Sequence, residues 1–201
     1  MEDTFKTIAC ASPEIIFKEK SSTFLGFAFP IESEIAVKTT LEHLRKLHPQ
    51  AVHFCYAYQL GTETIQYRTN DDGEPSNSAG MPIYRQIQSF SLTHVLLVVV
   101  RYFGGIKLGV GGLITAYKTT AQLTLESCKI IEKTIDMSYL VCFDYKNINK
   151  VMRIIKENKI KITNQKMELD CEIEISIRKK EANRIFEILD SMFEIEIKPI
   201  K

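Results

Sequence analysis

The sequence predicts an α+β protein of two domains: an α/β sandwich over residues 1–132, then a β-α-β-β-α-β domain over residues 133–201. All nine glycines and all four histidines lie before residue 113, so the second domain needs few unusual backbone angles. Its apolar residues instead alternate or recur at helical spacing. In the first domain, Val95-Leu96-Leu97-Val98-Val99-Val100 does not alternate, the pattern of a central strand buried on both faces. With 45% hydrophobic and 25% charged side chains, 201 residues hold ample apolar material for both cores.

Strands are expected near Phe5–Ala9, Thr23–Pro30, His53–Leu60 and Thr64–Thr69. Ile35, Val37, Leu41, Leu44 and Leu47 mark a helix that stops before Pro49. A loop of turn formers, Asp71 to Gly80, leads into a short helix. The strand Val95–Tyr102 and a helix from about Gly112 to Ser127 complete a mostly antiparallel sandwich rather than a doubly wound sheet.

In the second domain, Ile135, Met137, Tyr139, Val141 and Phe143 alternate as a half-buried strand. Asn147 is placed to cap a helix carrying Ile148, Val151, Met152 and Ile155. A strand near Ile160–Lys166 follows, then Cys171, Ile173, Ile175 and Ile177 alternate with polar residues. Ala182, Ile185, Phe186, Leu189 and Met192 form a second amphipathic helix, and Phe193, Ile195 and Ile197 a last strand. This is the split βαβ or ferredoxin-like order. RNA-recognition modules share it but need aromatics on the open sheet face. Here Glu172, Glu174, Glu194 and Glu196 stand opposite the core and would repel phosphate, so an accessory, interaction or dimerisation role fits better.

The net charge of +1 gives no global pull toward nucleic acid or anionic membranes, so any anion site must be local. Five scattered cysteines without a CxxC pair read as reduced, mostly buried thiols. The first residues lack a signal-peptide pattern and no apolar run reaches membrane-span length; a soluble cytoplasmic protein is expected.

Chemistry is expected where the central strand ends. Arg101 and Tyr102 precede Gly104, Gly105, Gly109, Gly111 and Gly112, and glycines let a ligand approach the backbone closely. The helix that begins there offers free N–H groups and a dipole to an anion, with Arg101 and Lys107 as point charges. The alternative is a tight strand-to-helix turn and nothing more. Neither nucleotide fingerprint is present: Gly109 is followed by Val110-Gly111 rather than Lys-Ser/Thr, and Ile114 stands where GxGxxG needs a third glycine. Asp71, Asp72 and Glu74 together suit either a hard cation or turn and cap duty, and the spacing is not that of an EF-hand. Glu74, stiffened by Pro75, is the candidate catalytic carboxylate. His53 and Cys55 share a strand face opposite Phe54, Tyr56 and Tyr58, as core or cleft lining. His43 and His48 read as solvated helix residues, and Ser76 and Ser78 lack a nucleophile elbow. Tyr117, on the face of Leu113 and Thr120, reads as packing.

Two strings carry a resemblance. Asp71-Asp72-Gly73-Glu74-Pro75 with Ala79-Gly80-Met81-Pro82, then Val99-Val100-Arg101-Tyr102-Phe103-Gly104-Gly105 with Leu108-Gly109, Gly111-Gly112-Leu113 and Ala116-Tyr117, strongly resemble the YigZ/Impact family. The resemblance spans nearly the whole chain. It implies an N-terminal domain like ribosomal protein S5 domain 2 and a ferredoxin-like C-terminal domain, a pair similar to the last two domains of elongation factor G. Eukaryotic relatives regulate translation by restraining a starvation-activated kinase through binding, with an extra domain. The resemblance also joins the acidic loop to the glycine loop, as a cleft lined by His53, Asp72, Glu74, Pro75, Ser78, Gly80 and Tyr117. The chain departs from the family in two places. Asn77-Ser78 replace Gly-Thr, and asparagine tolerates left-handed geometry. Thr115 replaces an arginine before Ala-Tyr, which removes a cation from the helix start, with Lys118 as a partial substitute.

The resulting expectation is a non-catalytic binding or regulatory protein linked to translation, contacting RNA, the ribosome or a phosphorylated ligand through the N-terminal cleft. Two readings stay open beside it: a hydrolase on a small phosphorylated or peptide-like substrate, and a protein-interaction module. No cofactor and no metal are expected.

Overall fold

The run from Val95 becomes the centre of a five-stranded antiparallel sheet in a computed structural model that describes residues 3–200. The strands are β1 (Thr4–Ile8), β2 (Ile15–Glu19), β3 (Ser22–Pro30), β4 (His53–Leu60), β5 (Gln66–Asn70) and β6 (Val95–Tyr102). Helices α1 (Glu34–Leu47), α2 (Gly80–Ser89) and α3 (Gly109–Glu126) lie between or after them, and β7 (Ile130–Thr134) pairs with β1 as a two-stranded ribbon. The sheet order is β2-β3-β6-β4-β5, so β6 is hydrogen-bonded on both sides. Residues 95–100 are all fully buried, because one face meets each of two helix layers.

Alternation along β6 divides the core. Val95, Leu97 and Val99 join Phe24, Cys55, Ala57, Ile83, Ile87 and Tyr117 under α2 and α3. Leu96, Val98 and Val100 join Leu25, Phe54, Tyr58, Val37 and Leu44 under α1. Arg101 therefore continues the α2/α3 face and Tyr102 the α1 face. The same rule puts His53, paired in register with Arg101, on the α2/α3 side.

The remaining unit comprises residues 134–200 with residues 3 and 4. Its strands β8 (Asp136–Asp144), β9 (Lys161–Lys166), β10 (Asp170–Arg178) and β11 (Ile195–Ile200) form an antiparallel sheet ordered β11-β8-β10-β9. Helices α4 (Ile148–Glu157) and α5 (Lys179–Asp190) cover one face with Val151, Ile155, Ile185 and Leu189.

Several expected details shift. Strands β2 and β7 are additional, β2 as a sheet edge and β7 as one half of the two-stranded ribbon, and their partial burial weakens the periodic signal. Helix α3 starts one turn earlier than expected, at Gly109 rather than Gly112. Asn147 does not cap α4 with its side chain, which instead donates to Glu194 Oε2 (3.3 Å). Phe193 lies outside the last strand and is 87% exposed. His48 is not simply solvated: its Nδ1 sits 2.9 Å from the Tyr102 hydroxyl and its ring packs on Phe27.

Candidate functional site

The Asp71–Gly80 loop is shaped by its first carboxylate. Asp71 accepts from the backbone N–H groups of Asn77 (2.9 Å), Ala79 (2.9 Å) and Gly80 (2.8 Å), so it caps α2 from nine residues away. Asn77 takes φ +60, the left-handed angle for which asparagine is suited. Asp72 turns to the α1 side, where it pairs with Arg45 (3.0 Å) and accepts from Phe54 N–H (2.6 Å). Ser78 is fully buried and donates to the Pro75 carbonyl (2.6 Å). Gly80 sits where an added Cβ would come within 2.8 Å of the Asn70 nitrogen. Asp71, Asp72, Ser78 and Gly80 thus build the loop.

Glu74 does the opposite and points under the sheet end. Its Oε1 accepts from Arg101 Nη1 (2.6 Å) and the Tyr117 hydroxyl (2.7 Å), and the Arg101 and Glu74 side chains are each only 5% exposed. Arg101 Nη2 donates to Ser22 Oγ (3.2 Å), and its guanidinium lies 5.4 Å from the rings of both Phe24 and Phe103. His53 donates from Nδ1 to the Asp72 carbonyl (2.8 Å), which leaves Nε2 facing Glu74 Oε1 at 3.8 Å. Below them the Cys55 thiol reaches the Tyr117 hydroxyl (3.3 Å) and the Asp71 carbonyl (3.0 Å). Burial pushes both the Cys55 thiol and the Tyr117 phenol far above their ordinary ranges, so both are held protonated.

After β6 the chain turns tightly. An added Cβ at Gly104 would fall 1.8 Å from the Ser21 carbonyl oxygen, so the loop approaches β3 as only glycine allows. Gly105 and Gly109 take φ +87 and +72. Helix α3 then begins with no side-chain cap and no acidic residue in its first turn.

These parts enclose a cleft of about 420 Å³ lined by Val52, His53, Glu74, Pro75, Arg101, Phe103, Lys107, Leu108, Gly109, Val110 and Leu113. It gathers His53, Glu74, Pro75, Arg101, Lys107 and Gly109 from the sequence reading. Tyr117 lies beneath the floor and is fully buried. Tyr102 faces α1, and Gly111 and Gly112 follow on α3 without lining the cleft. Leu108 and Leu113 of the apolar wall stood in the motif strings; its Val52 and Val110, and the support from Ser22 and Phe24, were not singled out from sequence. Phe103 stood in the motif string, but nothing in sequence marks Ser22 or Val52 as neighbours of Arg101. Among the described residues, no His/Cys/Asp/Glu cluster is arranged to hold a metal ion.

The model of the Impact N-terminal domain matches residues 20–125 of the chain. The IMPACT family member YvyE of Bacillus subtilis is 30% identical over 187 residues, covering 93% of this chain and 86% of that protein. The IMPACT family member YigZ of Escherichia coli is 32% identical over 157 residues, 77% of each. A crystal structure described as that of an hypothetical protein superimposes with a TM-score of 0.78 at 25% identity, covering 100% of this chain and 99% of the other.

Proposed function

The chain belongs to the Impact family, and from that premise we propose a regulatory binding protein linked to translation that performs no chemistry of its own. Its binding site is the cleft at the end of β6, and its ligand is RNA, ribosomal RNA included, or a phosphorylated molecule. Residues 1–132 form the Impact-like, S5 domain 2-like domain of this reading. Residues 133–201 form a ferredoxin-like domain, a reading supported by the β-α-β-β-α-β order and the strand order β11-β8-β10-β9. A cytoplasmic location goes with the translational role.

The state of the ionisable groups around the cleft floor carries the reading. A catalytic base or nucleophile needs a free, suitably activated group. Glu74 is instead tied to Arg101 and Tyr117, and Cys55 and Tyr117 are held protonated beneath it. Such a braced network keeps a recognition surface rigid. Around it stand Lys107, the uncapped start of α3 and the half-exposed ring of Phe103, which suit a phosphate and a flat or apolar group.

Sedimentation with ribosomes and fluorescence titration of labelled RNA across salt test this. The expected result is salt-sensitive binding that weakens roughly tenfold in Lys107→Ala or Phe103→Ala. Absent binding, binding indifferent to both changes, or turnover in a phosphatase and peptidase screen would reject it. The apolar mouth, with Phe103, Ile106 and Val110 about half exposed, favours a second reading as a protein-docking cleft. That reading requires a stable complex that survives loss of Lys107.

A further inference from the structure

The start of α3 is an unusually bare helix end. Its first amides belong to Gly109, Val110 and Gly111, no side chain caps them, and no carboxylate in the first turn answers the dipole. An added Cβ at Gly105, Gly109 or Gly111 would meet nothing within 4 Å. Gly105 and Gly109 have their positive φ as a reason to be glycine; Gly111 has neither that nor a close neighbour. Inside a helix, glycine without such a reason is unfavourable relative to alanine.

A second, independent observation lies in the same cleft. Arg101 is 4% exposed, and its Nε–H is buried without an acceptor among the described residues, although both terminal nitrogens are satisfied. A buried donor left unpaired in an otherwise satisfied network is where an absent acceptor belongs. Lys107, exposed and in no ion pair among the described residues, stands just before the helix.

We propose that this helix start, with Arg101 and Lys107, seats one terminal phosphate monoester carried on a flat or apolar body that packs on Phe103. The proposal rests on the cleft reading above and narrows its ligand. Charge limits the seat to one phosphate. Glu74 already offsets Arg101, the neighbouring His53 turns its Nδ1 to the Asp72 carbonyl, and among the described residues Lys107 is the one further cation lining the cleft. A strand-tracking groove needs a series of cations, whereas among the described residues lining this cleft only His53, Arg101 and Lys107 are basic. The body follows from the wall: Val52, Leu108, Val110 and Leu113 line, with the half-exposed Phe103, a cavity large enough for a nucleotide-sized molecule.

Isothermal titration calorimetry on the full chain uses AMP, adenosine, ribose 5-phosphate and inorganic phosphate. Further arms are one RNA decamer with and without a 5′-phosphate, and a phosphoserine peptide. AMP or the 5′-phosphorylated decamer is expected to bind at least tenfold more tightly than its unphosphorylated partner. AMP is expected to exceed ribose 5-phosphate, a margin that Phe103→Ala removes. Gly111→Asp, which supplies an internal carboxylate to the same amides, abolishes the phosphate preference while leaving the melting temperature equal or higher. Tighter binding of AMP than of the decamer assigns the seat to free nucleotides, and the reverse to RNA ends; both support it. Equal binding with and without phosphate, no effect of Gly111→Asp, equal binding of AMP and ribose 5-phosphate, preference for the phosphopeptide, or no binding at all overturns it. RNA binding that ignores the 5′-phosphate and Gly111→Asp but falls in Lys107→Ala overturns the phosphate seat alone and leaves the cleft reading standing.

Discussion

Glu74→Ala tests whether the cleft floor is a structural brace. The substitution removes the acceptor of two short hydrogen bonds, from Arg101 (2.6 Å) and Tyr117 (2.7 Å), in a pair whose side chains are both 5% exposed. The guanidinium keeps Ser22 Oγ at 3.2 Å and the two phenyl rings, none of which carries a compensating charge. Breaking a buried pair by deleting one partner destabilises by about 3–5 kcal/mol. At about 3 °C per kcal/mol for a domain of this size, the melting temperature of the N-terminal unit should fall by about 10–15 °C. Calorimetry or urea unfolding reads this directly. The Glu74→Leu/Arg101→Met double variant removes both charges and should regain most of the loss, with a large coupling in the double-mutant cycle. A loss below about 1 kcal/mol in Glu74→Ala would place the pair with exposed ion pairs and refute the reasoning, as would a double variant no more stable than the single ones.

Asp71→Ala should lower stability by about 1–2 kcal/mol, because three backbone donors at the start of α2 lose their acceptor; it should also open residues 71–79 to proteolysis, and unchanged stability would show that water caps the helix equally well. Gly104→Ala should be among the most damaging single-methyl additions in the chain, since Ser21 cannot move without shifting β3; expression and melting comparable to the parent protein would contradict the close approach. In the native protein at pH 8, a thiol reagent should modify exposed Cys10 and spare Cys55, whose thiol burial pushes far above its ordinary range, until denaturant is added. In the C-terminal unit, the Arg178 guanidinium holds the Asp3 carboxyl below its ordinary value. A carboxyl lowered on folding contributes stability above its unfolded pKa, of about 4, and loses it as pH falls through the lower folded value. Carboxyl NMR titration should therefore show Asp3 moving up to the ordinary range in Arg178→Ala, and no movement would remove the pairing.

Much of the architecture was legible because it is periodic. The unbroken apolar run of β6 required cover on both faces, and two helix layers provide it. Alternation around Val141 and Ile173 located the strands of the C-terminal sheet to within a residue or two. Irregular segments were less legible. Edge strand β2 is half exposed along its length, so its pattern is weak. The start of α3 was placed a turn late because Gly109 and Gly111 look like loop residues by propensity, although the backbone is already helical there. Asn147 had the residue type of a cap, but Glu194, distant in sequence, draws its side chain away.

By itself the sequence placed Arg101 at the end of β6 before a glycine-rich turn, and a period of two put His53 and Cys55 on one face of their strand. It also marked the loop from Asp71 as turn-rich. Sequence could not separate three acidic residues within four positions into their roles. Tertiary structure did that: Asp71 caps a helix, Asp72 crosses to α1, and Glu74 alone meets Arg101. The reason is physical. Hydrogen bonding within a loop is short-range and local, but which carboxylate meets a buried cation depends on strands paired across the sheet. Those long-range pairings decide burial, and burial decides whether a charge is solvated, neutralised or left to bind something else.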